Sequence, residues 1–308
     1  MTPVIIDTDP GVDDAVAILL AAASREVALL AITTVFGNVD LATTTANALR
    51  LRSLAGLGHV PVAAGAARPF VHPQREHAAG RHGADGLGGC ADLLPAPEGP
   101  VHARGAVALM ADLLRSATEP VTLVPIGPLT NVALLLAAHP DVKPRIARIV
   151  AMGGCLTDGD TADVGTEFNV HCDPEAARRV LVEEDVPTTL VPLDLTLRCA
   201  VTGGWRDELA TAGPRSALLV RLIEHHRTEH RATSGRDRVP LHDSLAVLEA
   251  AVPGTLRTTP MPLDVVCAPG TDRGRTVRAA AGRTIDVALD ADVAAVSAAI
   301  LQRLRALR

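Results

Sequence analysis

Residues 4–21 read VIIDTDPGVDDAVAILLA. Val4–Ile6 is a short β-branched run, the composition of a buried central strand. The run breaks into Asp7, Asp9, Pro10 and Gly11, which end a strand and open a loop. Asp13 to Ala23 then reads as a helix, with acids in its first turn where the peptide dipoles favour negative charge. Strand, acidic loop and helix together make the first half of a βαβ unit.

Four carboxylates, Asp7, Asp9, Asp13 and Asp14, fall within eight residues. Alternation along a strand sends Asp7 and Asp9 to one side. In a parallel sheet the carboxyl ends of the strands border the ligand crevice. Carboxylates this close repel one another unless a cation joins them. Oxygen donors at such a junction suit Ca²⁺ or Mg²⁺. Helix capping would account for Asp13 and Asp14 but not for Asp7 and Asp9. Taken alone, Asp-Thr-Asp after a strand also fits a Mg²⁺-dependent phosphatase with Asp7 as nucleophile. That chemistry usually wants a Lys, and the one Lys, Lys143, sits between Pro140 and Pro144 in a surface turn; an Arg would have to substitute.

The same alternation continues outward. Val27–Val35, Pro61–Ala64, Val121–Pro125, Ile146–Met152 and Thr188–Leu193 read as strands. Thr43–Leu54, Ala106–Ser116, Leu129–Ala138 and Pro174–Val182 read as helices. This spacing implies an α/β fold with βαβ units and a mainly parallel sheet. Residues 65–100 are rich in Gly, Pro and His, and so long an irregular stretch reads as a lid or binding loop. Residues 203–252 read as helical, with a small helical subdomain near 200–250 as one option. Residues 256–288 return to strands, and 290–306 close the chain as an amphipathic helix.

The chain has 308 residues, a formal charge of −6 and 48% hydrophobic residues. These values exclude general disorder and give no basic face for nucleic acid. Three Phe, one Trp and no Tyr leave no base-stacking platform of the RNA-binding kind. Five cysteines without CxxC spacing argue for reduced thiols in a cytoplasmic protein, not for a disulfide framework or structural zinc. The apolar runs are too short for a signal peptide or a membrane span.

The string DTDPGVDDAVAILLA at 7–21 resembles the N-terminal signature of the inosine–uridine-preferring nucleoside hydrolases. Phe36-Gly37-Asn38 looks like the family's second-strand motif, and HGADGLG at 82–88 like its loop near the active site. PIGPLTNV at 125–132, MGG at 152–154, EFNVHCDPEAA at 167–177 and His242-Asp243-Ser244 follow in the family's order. The resemblance spans nearly the whole chain.

The resemblance implies a single domain over residues 1–308, a Rossmann-like open sheet with flanking helices and an active site at the carboxyl ends of the strands. It implies hydrolysis of the N-glycosidic bond of a ribonucleoside to ribose and free base, by a homodimer or homotetramer. Ca²⁺ would be held by Asp9, Asp14, the Ile126 carbonyl and Asp243. Asp13, Asn38, Met152, Glu167, Phe168 and Asn169 would bind substrate. Asp9 would serve as base and His242 as acid. Such a reaction needs negative groups near an oxocarbenium-like ribose, a polarised water and a proton or hydrogen bond for the departing base. A His titrating near neutrality suits the last task.

One departure stands out: Gly159-Asp160 occupies the place of an Asn that contacts the 5′-hydroxyl in many members. With no Tyr to stack on the base, His226 and His230 are candidates, four apart on a helix, although an exposed polar face is the favoured expectation. His82 is a further candidate. A non-catalytic nucleoside-binding protein remains the alternative outside enzymology.

Overall fold

The structure is a computed structural model, and it describes residues 1–73, 78–156 and 166–307. The strands are β1 (Thr2–Thr8), β2 (Val27–Thr34), β3 (Val62–Ala64), β4 (Val121–Pro125), β5 (Ile146–Met152), β6 (Thr188–Val191), β7 (Leu256–Val265), β8 (Thr276–Arg278) and β9 (Arg283–Ala291). They form one sheet in the order β3-β2-β1-β4-β5-β6-β9-β7-β8. β1 to β6 are parallel, and β9 joins β6 in the same direction. β7 runs antiparallel to both β9 and β8.

The longer helices on the amino-terminal half are α1 (Val12–Ala23) and α2 (Leu41–Leu54), followed by the single turn α3 (Ala79–His82), α4 (Ala106–Ser116) and α5 (Thr130–Ala138). Then come α6 (Phe168–Cys172), α7 (Pro174–Arg178), α8 (Leu193–Thr196), α9 (Gly203–Ala210), α10 (Pro214–Ser234), α11 (His242–Ala251) and α12 (Val293–Arg305). Successive β1 residues face opposite layers, as the pleat requires. Val4 and Ile6 pack with Ile18, Leu19, Leu222 and Leu245, whereas Ile5 packs with Met110, Leu123 and Leu135. Every residue of β4 and β6 is buried, the expected state of central parallel strands covered on both faces.

Four local expectations change. Pro192 ends β6 early, and Leu193 instead opens α8. The Pro174–Val182 segment is α7 followed by a wider π turn over Arg179–Glu183. The 203–252 stretch is three helices, with Val239 pairing with Val201 between α10 and α11. The long loop carries α3 and a 3₁₀ turn at Ala91–Leu93.

From β1 the chain proceeds to β2 and β3 on one side, and β4 lies on the other. The carboxyl ends of β1 and β4 therefore diverge at a topological switch point, where open α/β sheets bind ligands. Asp9, Ile126 and the Met152–Gly154 turn all follow strands ending at this crevice.

Candidate active site

The crevice is a cleft of ≈ 370 Å³. Asp13, Asp14 and Asp243 line it, and their carboxylate oxygens lie within 4.8 Å of one another. Asp13 and Asp14 open α1, while Asp243 comes from the first turn of α11, more than two hundred residues later. Thr8 donates its hydroxyl to Asp14 Oδ1 at 2.5 Å, and Gly11 N donates to Oδ2 at 2.8 Å.

Asp9 lies beneath this group and is fully buried. Its Oδ2 accepts from Asn38 N at 2.8 Å, whereas Oδ1 has no hydrogen-bond partner. The carboxylate fits because Gly37 and Gly127 flank it. A Cβ on either would collide with Asp9 oxygens. Asn38 then ties the acids together, its Nδ2 donating to Asp9 O at 3.1 Å and to Asp14 Oδ2 at 3.2 Å.

Asp7 does not join them. Its Oδ1 accepts from Thr33 Oγ1 at 2.6 Å and Asn131 Nδ2 at 2.8 Å, inside the sheet layer. The expectation that Asp7 and Asp9 leave on one side as a pair is corrected here: Asp7 is still in β1, whereas Asp9 lies beyond its end.

The ribose candidates gather on the other wall. Glu167 Oε1 accepts from Asn169 N at 2.8 Å, and Oε2 from Gly154 N and Val170 N, each at 3.0 Å. Glu167 thus caps α6 and pins the turn after β5. Asn169 Nδ2 donates to Ile126 O at 3.0 Å and to Met152 O at 3.3 Å. A carbonyl has two lone pairs, so Ile126 O keeps one acceptor site. Phe168 is half-buried and lines the cleft with Met152. Gly159 and Asp160 lie outside the described residues.

His82 and His242 line a further wall, and the buried His226 ring lies near both. His82 and His226 have ring centroids 5.5 Å apart, and His226 and His242 6.5 Å apart. His82 Nδ1 accepts from Val12 N at 3.1 Å, and His242 Nδ1 lies 2.7 Å from Thr196 Oγ1. The exposed-face expectation is wrong for His226, which is 5% exposed, and holds better for the half-buried His230. α10 turns His226 inward with Leu219, Leu222 and Ile223, a stripe at helical spacing. Sequence reasoning named His82, at the head of the HGADGLG motif, only as one possible contact to the base or the 5′-hydroxyl. It missed Thr196 altogether, since a lone Thr carries no signal.

Burial, then the charges of Asp14 and Asp13, pushes the Asp9 carboxyl well above the usual range. Burial and Asp13 raise Asp14 to about 7, and burial with Asp13, Asp14, Asp9 and Glu167 raises Asp243. Burial also opposes ionisation of Asp13, but His82, His226 and His242 outweigh it and hold Asp13 low. Burial lowers His226 to about 3 and His242 to about 4. Burial therefore disfavours the charged form of the His242 ring, against the expectation of a His titrating near neutrality. The crowded carboxylates, all oxygen donors, and the bare Asp9 Oδ1 fit a hard divalent cation in place of protons.

A sequence profile of the inosine–uridine preferring nucleoside hydrolases matches residues 4–298. The chain belongs to this family. The hydrolase is 41% identical to the pyrimidine-specific ribonucleoside hydrolase RihA of Photobacterium profundum over 247 residues, covering 80% of this chain and 78% of the relative. It is 40% identical to RihA of Citrobacter koseri over 250 residues, with 80% and 78% covered. Among solved structures, a purine-preferring ribonucleoside hydrolase from Gardnerella vaginalis superposes with a TM-score of 0.92 at 29% identity, with 99% of each chain covered. The plant nucleoside hydrolase PpNRh1 gives 0.91 at 28%, with 98% of each covered. The hydrolase is thus an N-glycosidase acting on ribonucleosides, with an acidic cluster able to hold a metal ion. No helix among its described residues is long and apolar enough to cross a membrane.

Proposed function

We propose that the hydrolase is Ca²⁺-dependent, prefers pyrimidine ribonucleosides, and uses Asp9 as general base and His242 as the group facing the departing base. The observation that carries this reading is the bare, buried Oδ1 of Asp9 below Asp13, Asp14 and Asp243, with His242 lining the same cleft. Asp9, Asp14, Asp243 and the free lone pair of Ile126 O would hold the ion. Bound Ca²⁺ would supply Lewis acidity toward water and a template for the ribose diol.

Asp9 accepts the proton of the attacking water. Its raised basicity favours that transfer, and Asn38 N holds its other oxygen in place. Asp13, Asn38 and Asn169 orient the ribose hydroxyls, and Met152 and Phe168 form the apolar wall. The carboxylates also lie where positive charge develops on the ribose. Thr196 donates its hydroxyl proton to His242 Nδ1, so that Nε2 carries the hydrogen and offers it to the base. A phosphatase route through Asp7 finds no support, since Asp7 stands within β1 with its Oδ1 already held by Thr33 Oγ1 and Asn131 Nδ2. Pyrimidine preference is supported by the relatives of that name at about 40% identity, against 29% for the purine-preferring neighbour. The reading extends to a cytoplasmic homodimer or homotetramer.

A panel of nucleosides assayed for released ribose tests it. Uridine and cytidine should turn over faster than inosine. 2′-Deoxyuridine should lose ~10⁴-fold in kcat/KM, because buried polar groups built for the 2′-hydroxyl are left unpaired. Binding without ribose release would identify a nucleoside-binding protein instead.

A further inference from the structure

The cleft holds acids from α1, α11 and Glu167, and the imidazoles of His82, His171 and His242. Arg81, on α3, is the one Lys or Arg side chain among its described lining residues. Its side chain makes no hydrogen bond or ion pair with any described residue, and it is exposed to solvent at the cleft. A guanidinium beside so many carboxylates ordinarily pairs with one of them. This one pairs with none of the described residues.

Its position is set by the fold. α3 packs on α10, which carries His226 and His230, and the next residue in the chain is His82. The charge of Arg81 acts on His82, His242 and His230, and on Glu167 across the cleft. Arg81 thus lines the cleft beside His82, on the turn that packs against the helix carrying His226 and His230. Positive charge grows on the ribose during the reaction, and negative charge grows on the base. A cation at the imidazole end meets the second of these.

We propose that Arg81 is a catalytic residue that donates hydrogen bonds to the departing base and balances the negative charge building on it. The inference rests on the hydrolase reading above. The C1′–N bond breaks, and its electron pair leaves on the base, spread onto the ring carbonyl oxygens. The water oxygen bonds to C1′, and the water proton passes to Asp9. The base anion, held by Arg81, then takes a proton from solvent as Asp9 releases one. Arg81 only donates hydrogen bonds in this step and transfers no proton.

The test compares the wild-type enzyme with Arg81→Gln and Arg81→Lys on uridine, 5-fluorouridine and p-nitrophenyl riboside. Arg81→Gln should lower kcat/KM about 10²-fold on uridine, in the range set by losing one donor to a developing anion. The loss should be smaller for 5-fluorouridine, whose base anion is more stable, and smallest for p-nitrophenyl riboside. Arg81→Lys should recover part of the loss on uridine. Binding gives an independent readout by calorimetry. Arg81→Gln should weaken 5-nitrouracil, an anion at pH 7, at least tenfold while leaving neutral uracil and ribose unchanged. Equal losses on all three substrates, or no loss, would overturn the assignment, as would an unchanged affinity for the base anion. Ribose release by the wild-type enzyme judges the hydrolase reading separately, and the binding comparison stands whatever that assay returns.

Discussion

Asp9 combines full burial with an oxygen that no protein donor satisfies, an arrangement costly unless water or a cation completes it. Asp9→Asn removes the proposed base and a proposed ligand while preserving shape. It should lower kcat by ~10²–10⁴-fold, the usual contribution of a general base, and disturb ribose affinity far less. Steady-state kinetics with ribose as competitive inhibitor checks this. Turnover within a few-fold of wild type, with the ion still bound, would remove Asp9 from the role. At His242 the diagnostic is the leaving group. His242→Ala should cost ~10²–10⁴-fold on uridine and much less on p-nitrophenyl riboside. Equal losses accompanied by reduced metal content would mean that the ring only supports Asp243 beside it.

The turn after β2 and the turn after β4 act as a pair of jaws. Gly37 and Gly127 close on the Asp9 carboxylate from either side, and neither position has room for a methyl group. Gly37→Ala should push the carboxylate off Asn38 N and weaken Ca²⁺ binding at least tenfold, measured by calorimetric titration on folded protein. Wild-type affinity would show that the Asp9 position is not decisive for the ion. α6 shows the same economy at the opposite wall. Its capping acid, Glu167, satisfies three backbone donors from two segments, so Glu167→Ala should cost about 1–2 kcal/mol of stability as a lost cap. Chemical denaturation measures that figure. The apolar runs announced these strands, and the Asp-rich and Gly-rich strings announced the turns. What pairwise spacing could not announce was the use of a capping acid to position a neighbouring turn.

Across the molecule, the metal candidate draws on elements far apart in the chain: the β1–α1 junction, the end of β4 and the start of α11. α1 and α11 pack against each other, which brings like charges together. Removing the ion should leave those charges uncompensated at neutral pH. Chelation is therefore expected to lower Tm, and Ca²⁺ at a hundred times its Kd should restore about 2.7 kcal/mol. Calorimetric scans with EDTA, Ca²⁺ and Mg²⁺ check this. No change in Tm on chelation and calcium return would argue against a structural load on the site.

The amino-acid sequence by itself determined the parallel α/β class, because apolar runs of strand length alternate with helical periods. It also marked Asp7, Asp9, Asp13 and Asp14 as acids crowded at a strand end, which need a cation or protons to coexist, and the family resemblance added Asp243. The tertiary structure alone decided that Asp7 turns into the sheet to meet Thr33 and Asn131, and that His226 faces inward. It alone set His82, His226 and His242 in one row, with Arg81 lining the same cleft and pairing with none of the described residues. These outcomes depend on how α3, α10 and α11 meet at the end of the sheet. Contacts between residues so distant in the chain are fixed by packing and burial, which local composition and periodicity do not encode.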